Sequence, residues 1–158
     1  MKTILLVDDE EDVLHVLAMR LESLYYRVLT ARDGMEGVSV ARREIPDLVI
    51  LDLVMPVMNG LEALHRLRGE RSTRRIPVVV LTCQSASSGI FKAMELGAVE
   101  YLIKTCSSAE LVQVVERALQ RAGAIAWREH DREIDRVVQG VACRYRTPCP
   151  VGTDGPSQ

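Results

Sequence analysis

The stretch DLVILDLVMPVMNGLEAL (residues 47–64) runs through Leu48, Val49, Ile50 and Leu51 without a polar interruption and then meets a carboxylate, Asp52. An unbroken short apolar run is the pattern of a strand covered on both faces, as in a parallel sheet. An isolated buried carboxylate is costly, so it finds a partner or sits at a solvent-open end. Asp52 therefore marks a strand end that needs company. Beyond it Asn59-Gly60 reads as a turn, and Leu61, Leu64 and Leu67 share one face of a helix.

Outward from this segment the same alternation repeats. On the N-terminal side, TILLV (3–7) is a strand, followed by Val13, Leu14, Leu17, Leu21 and Leu24 at helical spacing. YRVLTA (26–31) is a weaker strand, DGMEGVSVARRE (33–44) a helix with Asp33 as N-cap, and PDLVILD (46–52) the strand bounded by Pro46. On the C-terminal side, IPVVVLT (76–82) is a fourth strand, SGIFKAMELG (88–97) a helix ending at Gly97, and VEYLI (99–103) a fifth strand. The last helix opens with a capping box, Ser107 to Glu110, and sets Leu111, Val114, Val115 and Ala118 on one face. Five strands alternating with five helices over about 120 residues predict a doubly wound α/β fold, a parallel sheet with helices on both faces.

Composition agrees. The chain has 158 residues, 47% hydrophobic and 27% charged, enough to bury a core, and its formal net charge of -2 argues against a polyanion-binding surface covering the whole molecule, while leaving room for local basic patches. The start, MKTILLVDDEED, carries its apolar run straight into five acids, so it is neither a signal peptide nor a membrane span, and a cytoplasmic location is expected. Cysteines 83, 106, 143 and 149 form no CxxC pair and have no clustered histidines, which points to free thiols and away from zinc.

Ligands of open α/β sheets bind outside the carboxyl ends of the strands. The first strand ends in Asp8 and Asp9, the third in Asp52, the fourth in Thr82 and the fifth runs into Lys104. Singly, Asp8 and Asp9 could complement a helix dipole, and Thr82 could be an ordinary β-branched strand end. Together, three carboxylates, a hydroxyl and an ammonium describe a site. Converging carboxylates repel unless a cation joins them, and a few carboxylates with open positions suit Mg²⁺, which keeps waters and takes phosphate oxygens. A carboxylate can also attack a phosphoryl group, with transfer governed by positioning and charge neutralisation. Asp52 as nucleophile, Mg²⁺ and Lys104 fill these roles.

The segments LLVDDEE (5–11), DLVILDLVMPVMNGLEAL (47–64), PVVVLT (77–82), GAVEYLIK (97–104) and SSAEL (107–111), in this order, resemble the receiver domain of two-component response regulators. The resemblance implies a flavodoxin-like fold. It implies Asp52 as phosphoacceptor, Asp9 as a direct Mg²⁺ ligand, Asp8 as a ligand acting largely through water, and the backbone carbonyl of Val54 as the remaining protein ligand. Thr82 and Lys104 would bind phosphoryl oxygens, and Tyr101 would be an aromatic switch that turns inward with Thr82. The implied donor is a sensor histidine kinase or a phosphotransfer protein, and the chain is a phosphoacceptor that assists its own phosphorylation and dephosphorylation rather than an enzyme. The family usually carries proline after the lysine, where this chain has Thr105. A cis bond costs roughly 2.5–4 kcal/mol at a non-proline residue, so a trans Lys104–Thr105 bond is expected, with Lys104 still directed at Asp52.

Two other classes compete. A phosphohydrolase of the haloacid dehalogenase type needs a second acid two residues after its nucleophile, where Val54 stands. A receiver-fold module that binds without being phosphorylated would not need the complete acceptor set. Positions two after Asp52 and two after Thr82, which in the family influence dephosphorylation, are Val54 and Gln84.

The expected boundaries are a receiver at 1–121, a helical extension at 122–146 and a disordered tail at 147–158, rich in Pro, Gly and Ser, or else a receiver at the start of a longer regulator. In the extension, Trp127, Ile134, Val138 and Val141 come near heptad spacing, which Asp131 interrupts. Seven arginines against four acids over 117–146 suit a solvated helix face better than a nucleic-acid contact. The fourth and fifth helices with this extension are the expected surface for a second copy or another protein.

Overall fold

The computed structural model describes residues 1–83 and 87–124. Along them run β1 (Thr3–Val7), α1 (Glu11–Glu22), β2 (Arg27–Ala31), α2 (Gly34–Glu44), β3 (Leu48–Asp52), α3 (Gly60–Gly69), β4 (Val78–Thr82), α4 (Ser87–Glu95), β5 (Glu100–Ile103) and α5 (Ser108–Ala124). The strands form one sheet in the order β2-β1-β3-β4-β5, with every neighbouring pair parallel.

The unbroken apolar runs are explained by cover on both faces. Leu5, Val7, Val49, Leu51, Val78 and Val80 pack with Val38, Ala41, Leu64, Leu67 and Ala93 from α2, α3 and α4. The alternate residues, Ile4, Leu6, Leu48, Ile50, Val79 and Leu81, pack with Leu14, Leu17, Leu21, Leu111 and Val115 from α1 and α5. Alternation of side chains across the strand assigns each residue to its helix layer. The chain goes from β1 out to β2, then returns to the other side of β1 for β3. That reversal opens a crevice at the carboxyl ends of β1 and β3, the place where such sheets bind ligands.

The expected caps are present: the Asp33 side chain accepts from the Glu36 N–H at 2.8 Å, and Ser107 and Glu110 close a reciprocal box. The first strand spans the expected residues, and β2 to β5 begin one or two residues later than the apolar runs suggest. Pro77 has no N–H to add to the ladder and contributes only its carbonyl, which accepts from Val49 N–H at 3.0 Å. Leu24 does not belong to the buried face of α1. The helix stops at Glu22, Tyr25 takes a left-handed φ of 63°, and Leu24 is left exposed in that turn.

Arg68 is the unexpected core residue. The residue is 7% exposed, and its guanidinium donates to the carbonyls of Arg74, Ile76 and Gly97, tying α3 to the turns before β4 and β5. Burial pushes it down to about 10. Among the described residues Cys83 and Cys106 are free, and no helix is long and apolar enough to cross a membrane. Gln84, the heptad-like pattern over 124–146 and the tail at 147–158 lie outside the described residues, apart from Ala124 at the end of α5.

Candidate functional site

The last residue of β3 is Asp52, 2% exposed, and the first residue after β1 is Asp8, 1% exposed. The parallel pairing of β1 with β3 brings both carboxylates to the same end of the sheet. Each is held by the chain that follows it: Asp8 Oδ1 accepts from the Glu10 N–H at 2.8 Å, and Asp52 Oδ1 from the Val54 N–H at 3.3 Å. Lys104 follows β5, and its own N–H donates to the Thr82 carbonyl at 2.9 Å, extending the β4–β5 ladder up to the site. From there its Nζ reaches Asp52 Oδ2 at 3.0 Å and Asp8 Oδ2 at 3.0 Å, and it also pairs with Glu10 Oε1. Thr82 ends β4, is buried, and donates its hydroxyl to the Cys83 carbonyl at 3.0 Å.

Charge is unbalanced here. Three carboxylates, those of Asp8, Glu10 and Asp52, bring oxygens within 4.8 Å of one another around one ammonium. Burial pushes the Asp8 carboxyl above its ordinary 3.8, against the pull of the Glu10 N–H and Lys104. Burial also raises Asp52, where Lys104 opposes and the neighbouring Asp8 charge adds to the rise. Burial pulls Lys104 down, but its hydrogen bonds to Glu10, Asp8 and Asp52 outweigh that and hold it above its ordinary value. Asp8 Oδ2, though beside the ammonium, is buried without a hydrogen bond. Hard oxygen donors with surplus negative charge and an unsatisfied buried oxygen fit a divalent cation.

The loop after Asp52 is tightly fixed. Met58 N–H donates to the Pro56 carbonyl at 2.7 Å across Val57, which adopts a φ of 67°. A β-branched residue at positive φ is strained. Asn59 then caps α3 in a reciprocal box with Glu62. Gly60 packs so closely under the strand end that a Cβ there would lie 2.7 Å from Leu53 Cα and 2.9 Å from the Asp52 carbonyl carbon.

Asp8, Asp52, Lys104 and Thr82 thus converge on one end of the sheet. Asp9 is exposed and stands outside the group of close carboxylates. Val54 is exposed, and Tyr101 is half exposed on the edge strand β5. Among the described residues no peptide is cis, so the Lys104–Thr105 bond is trans, and Lys104 points at Asp52. Glu10 was not singled out from the sequence. An acid opening a helix reads as a dipole partner, and nothing local shows its side chain turning to a lysine 94 positions away.

The sequence profile of the response regulator receiver domain family matches residues 4–116. The phosphate regulon transcriptional regulatory protein PhoB of Pseudomonas aeruginosa is 34% identical over 122 residues, 77% of this chain and 53% of its own length. The alkaline phosphatase synthesis transcriptional regulatory protein PhoP of Bacillus subtilis is 36% identical over 121 residues, 77% of this chain and 50% of its own length. The chain spans about half the length of the curated relatives it matches. Among solved structures, the receiver domain of the sensor histidine kinase PA1611 from Pseudomonas aeruginosa PAO1, with a magnesium ion in its active site cleft, superposes with a TM-score of 0.70 at 31% identity, covering 75% of this chain and 98% of that one. A match that runs from β1 into α5, over the very residues that build the sheet and its acidic end, places the chain in the response regulator receiver domain family.

Proposed function

We propose that this chain accepts a phosphoryl group on Asp52 from a sensor histidine kinase or a phosphotransfer protein, and signals through the resulting conformational change. The observation that carries the reading is the Lys104 ammonium 3.0 Å from the Asp52 carboxylate at the carboxyl end of the sheet, with Asp8 beside it. An Asp52 oxygen attacks phosphorus, the donor's P–N bond breaks, its electron pair leaves with the imidazole, which takes a proton, and an acyl phosphate remains. Lys104 and the Thr82 hydroxyl supply charge and a hydrogen bond to the phosphoryl oxygens. Asp8, Asp9, Asp52 and the Val54 carbonyl are the proposed Mg²⁺ ligands, Asp8 through water. A Mg²⁺ ion held there would offset charge on the phosphoryl oxygens.

A new dianionic group that draws Thr82 toward it gives Tyr101 room to turn inward. That links Asp52 to the α4–β5–α5 face, where Phe91, Met94 and Tyr101 are exposed. This face, with the chain beyond α5, is the proposed surface for a second copy or a protein partner. The test is incubation with a small acyl-phosphate donor, with and without Mg²⁺, followed by intact-mass measurement and sedimentation. One phosphoryl group should appear only with Mg²⁺ and be absent from Asp52→Asn, and association should change with it. Full labelling of Asp52→Asn would remove the assignment, and labelling of neither protein would favour a module that is not phosphorylated.

A further inference from the structure

Glu10 occupies the N-cap position of α1 with extended backbone, yet its side chain makes no capping bond. An N-cap side chain ordinarily accepts an N–H from the first turn. Here the carboxylate turns the other way and pairs with Lys104 Nζ. Its backbone is held for this, because the Glu10 N–H is bound by Asp8 Oδ1 at 2.8 Å. An ammonium has three hydrogens to donate, and Lys104 meets three carboxylates, those of Asp8, Asp52 and Glu10. The lysine is therefore saturated before any phosphoryl group arrives. Its side chain is 11% exposed, whereas that of Glu10 is 57% exposed, so Glu10 closes the ammonium off on the solvent side.

One of the three carboxylates has to yield a hydrogen when Lys104 binds phosphoryl oxygens. Until the O–P bond forms, Asp52 is the attacking carboxylate and has to stay in line with the phosphorus, and Asp8 is buried at the centre of the cluster. Glu10 alone is free to swing into water. We propose that Glu10 is a positioning residue that holds the Lys104 ammonium at the mouth of the site and competes with incoming phosphoryl oxygens for it. This rests on the reading of Asp52 as acceptor. Glu10 sets how readily the unphosphorylated state gives way, and release of the Glu10–Lys104 pair accompanies phosphorylation.

The experiment uses the full chain with a small acyl-phosphate donor and, separately, beryllofluoride with Mg²⁺ as a phosphoryl mimic. Glu10→Gln keeps the shape and weakens the bond to the ammonium, since charge-assisted hydrogen bonds are roughly twice as strong as neutral ones. The mimic should bind about two- to five-fold more tightly and the donor KM should fall by a similar factor, the range for an ion pair with one exposed partner. Glu10→Asp retains the charge but is one methylene too short to hold the contact, and it should behave like Glu10→Gln. In a Lys104→Ala background, Glu10→Gln should change mimic affinity by less than about 1.5-fold, because the two effects share one contact. Three results would overturn the proposal: Glu10→Asp matching the parent, which assigns the effect to net charge; a roughly tenfold loss of Mg²⁺ affinity in Glu10→Gln, which makes Glu10 a metal ligand; or an undiminished effect without Lys104. Asp52→Asn run alongside keeps the two readings apart, since labelling that survives in it refutes the acceptor assignment rather than the role of Glu10.

Discussion

Burial raises the carboxyl groups of Asp8 and Asp52 above 3.8, so between 3.8 and those raised values the folded chain binds more protons than the unfolded chain. Stability therefore falls as pH rises through that window, and at neutral pH both carboxylates carry their full penalty. Asp8→Asn and Asp52→Asn each remove one of the opposed charges and leave Lys104 two carboxylate partners. Each variant should be more stable than the parent at pH 7, on the order of 1 kcal/mol, a few degrees in Tm, without added metal. The advantage should shrink toward pH 4 and vanish below 3.8, where the aspartates are protonated in both states. Thermal unfolding across pH checks this, and a variant less stable than the parent at pH 7 would show that Lys104 more than offsets the burial. Asp8, Asp52, Thr82 and Lys104 were legible in the sequence because each polar residue ends an apolar run. Glu10 was not, because its partner is set by the β1–β3–β4–β5 pairing and not by any neighbour in the chain.

At the scale of elements, the strand β3, its loop and α3 form the unit that places Asp52. Its tightest point is Gly60, where the helix starts directly beneath the Asp52 and Leu53 backbone. A Cβ there meets main chain, which cannot swing aside as a side chain could. Gly60→Ala should cost about 1–3 kcal/mol and reduce Asp52 phosphorylation by displacing the strand end. The control lies at the other end of the same helix: a Cβ on Gly69 would have nothing within 4 Å. Gly69→Ala should leave phosphorylation unchanged and hold or raise stability by up to about 1 kcal/mol. Unfolding midpoints and labelling rates of the two variants decide it, and equal behaviour would mean that the contact beneath Asp52 does not position the acceptor. The sequence shows a turn at Asn59-Gly60, and the N-x-x-E spacing of Asn59 and Glu62 is itself a readable capping signal. The closeness of Gly60 to β3 was not readable, because it depends on how α3 packs back on the sheet. Leu24 misled for a related reason: helical spacing continues past Glu22, but the chain there leaves the helix through Tyr25 at positive φ.

For the whole molecule, β/α alternation and uninterrupted apolar strands led to a doubly wound sheet before any contact was known, because only cover on both faces makes such runs favourable. The same topology that buries Ile50 and Val80 leaves the carboxyl ends of β1, β3 and β4 as the one place where Asp8, Asp52 and Thr82 meet. Fold and chemistry are thus consequences of one arrangement. The central claim is that the carboxylate at the end of β3 takes the phosphoryl group. Reaction with a small acyl-phosphate donor and Mg²⁺, followed by borohydride reduction and peptide mass mapping, tests it most directly, since reduction of an aspartyl phosphate leaves homoserine at the modified position. The expected result is homoserine at residue 52, dependent on Mg²⁺, with Asp8 and Asp9 unmodified. Homoserine at another aspartate with residue 52 intact would contradict it.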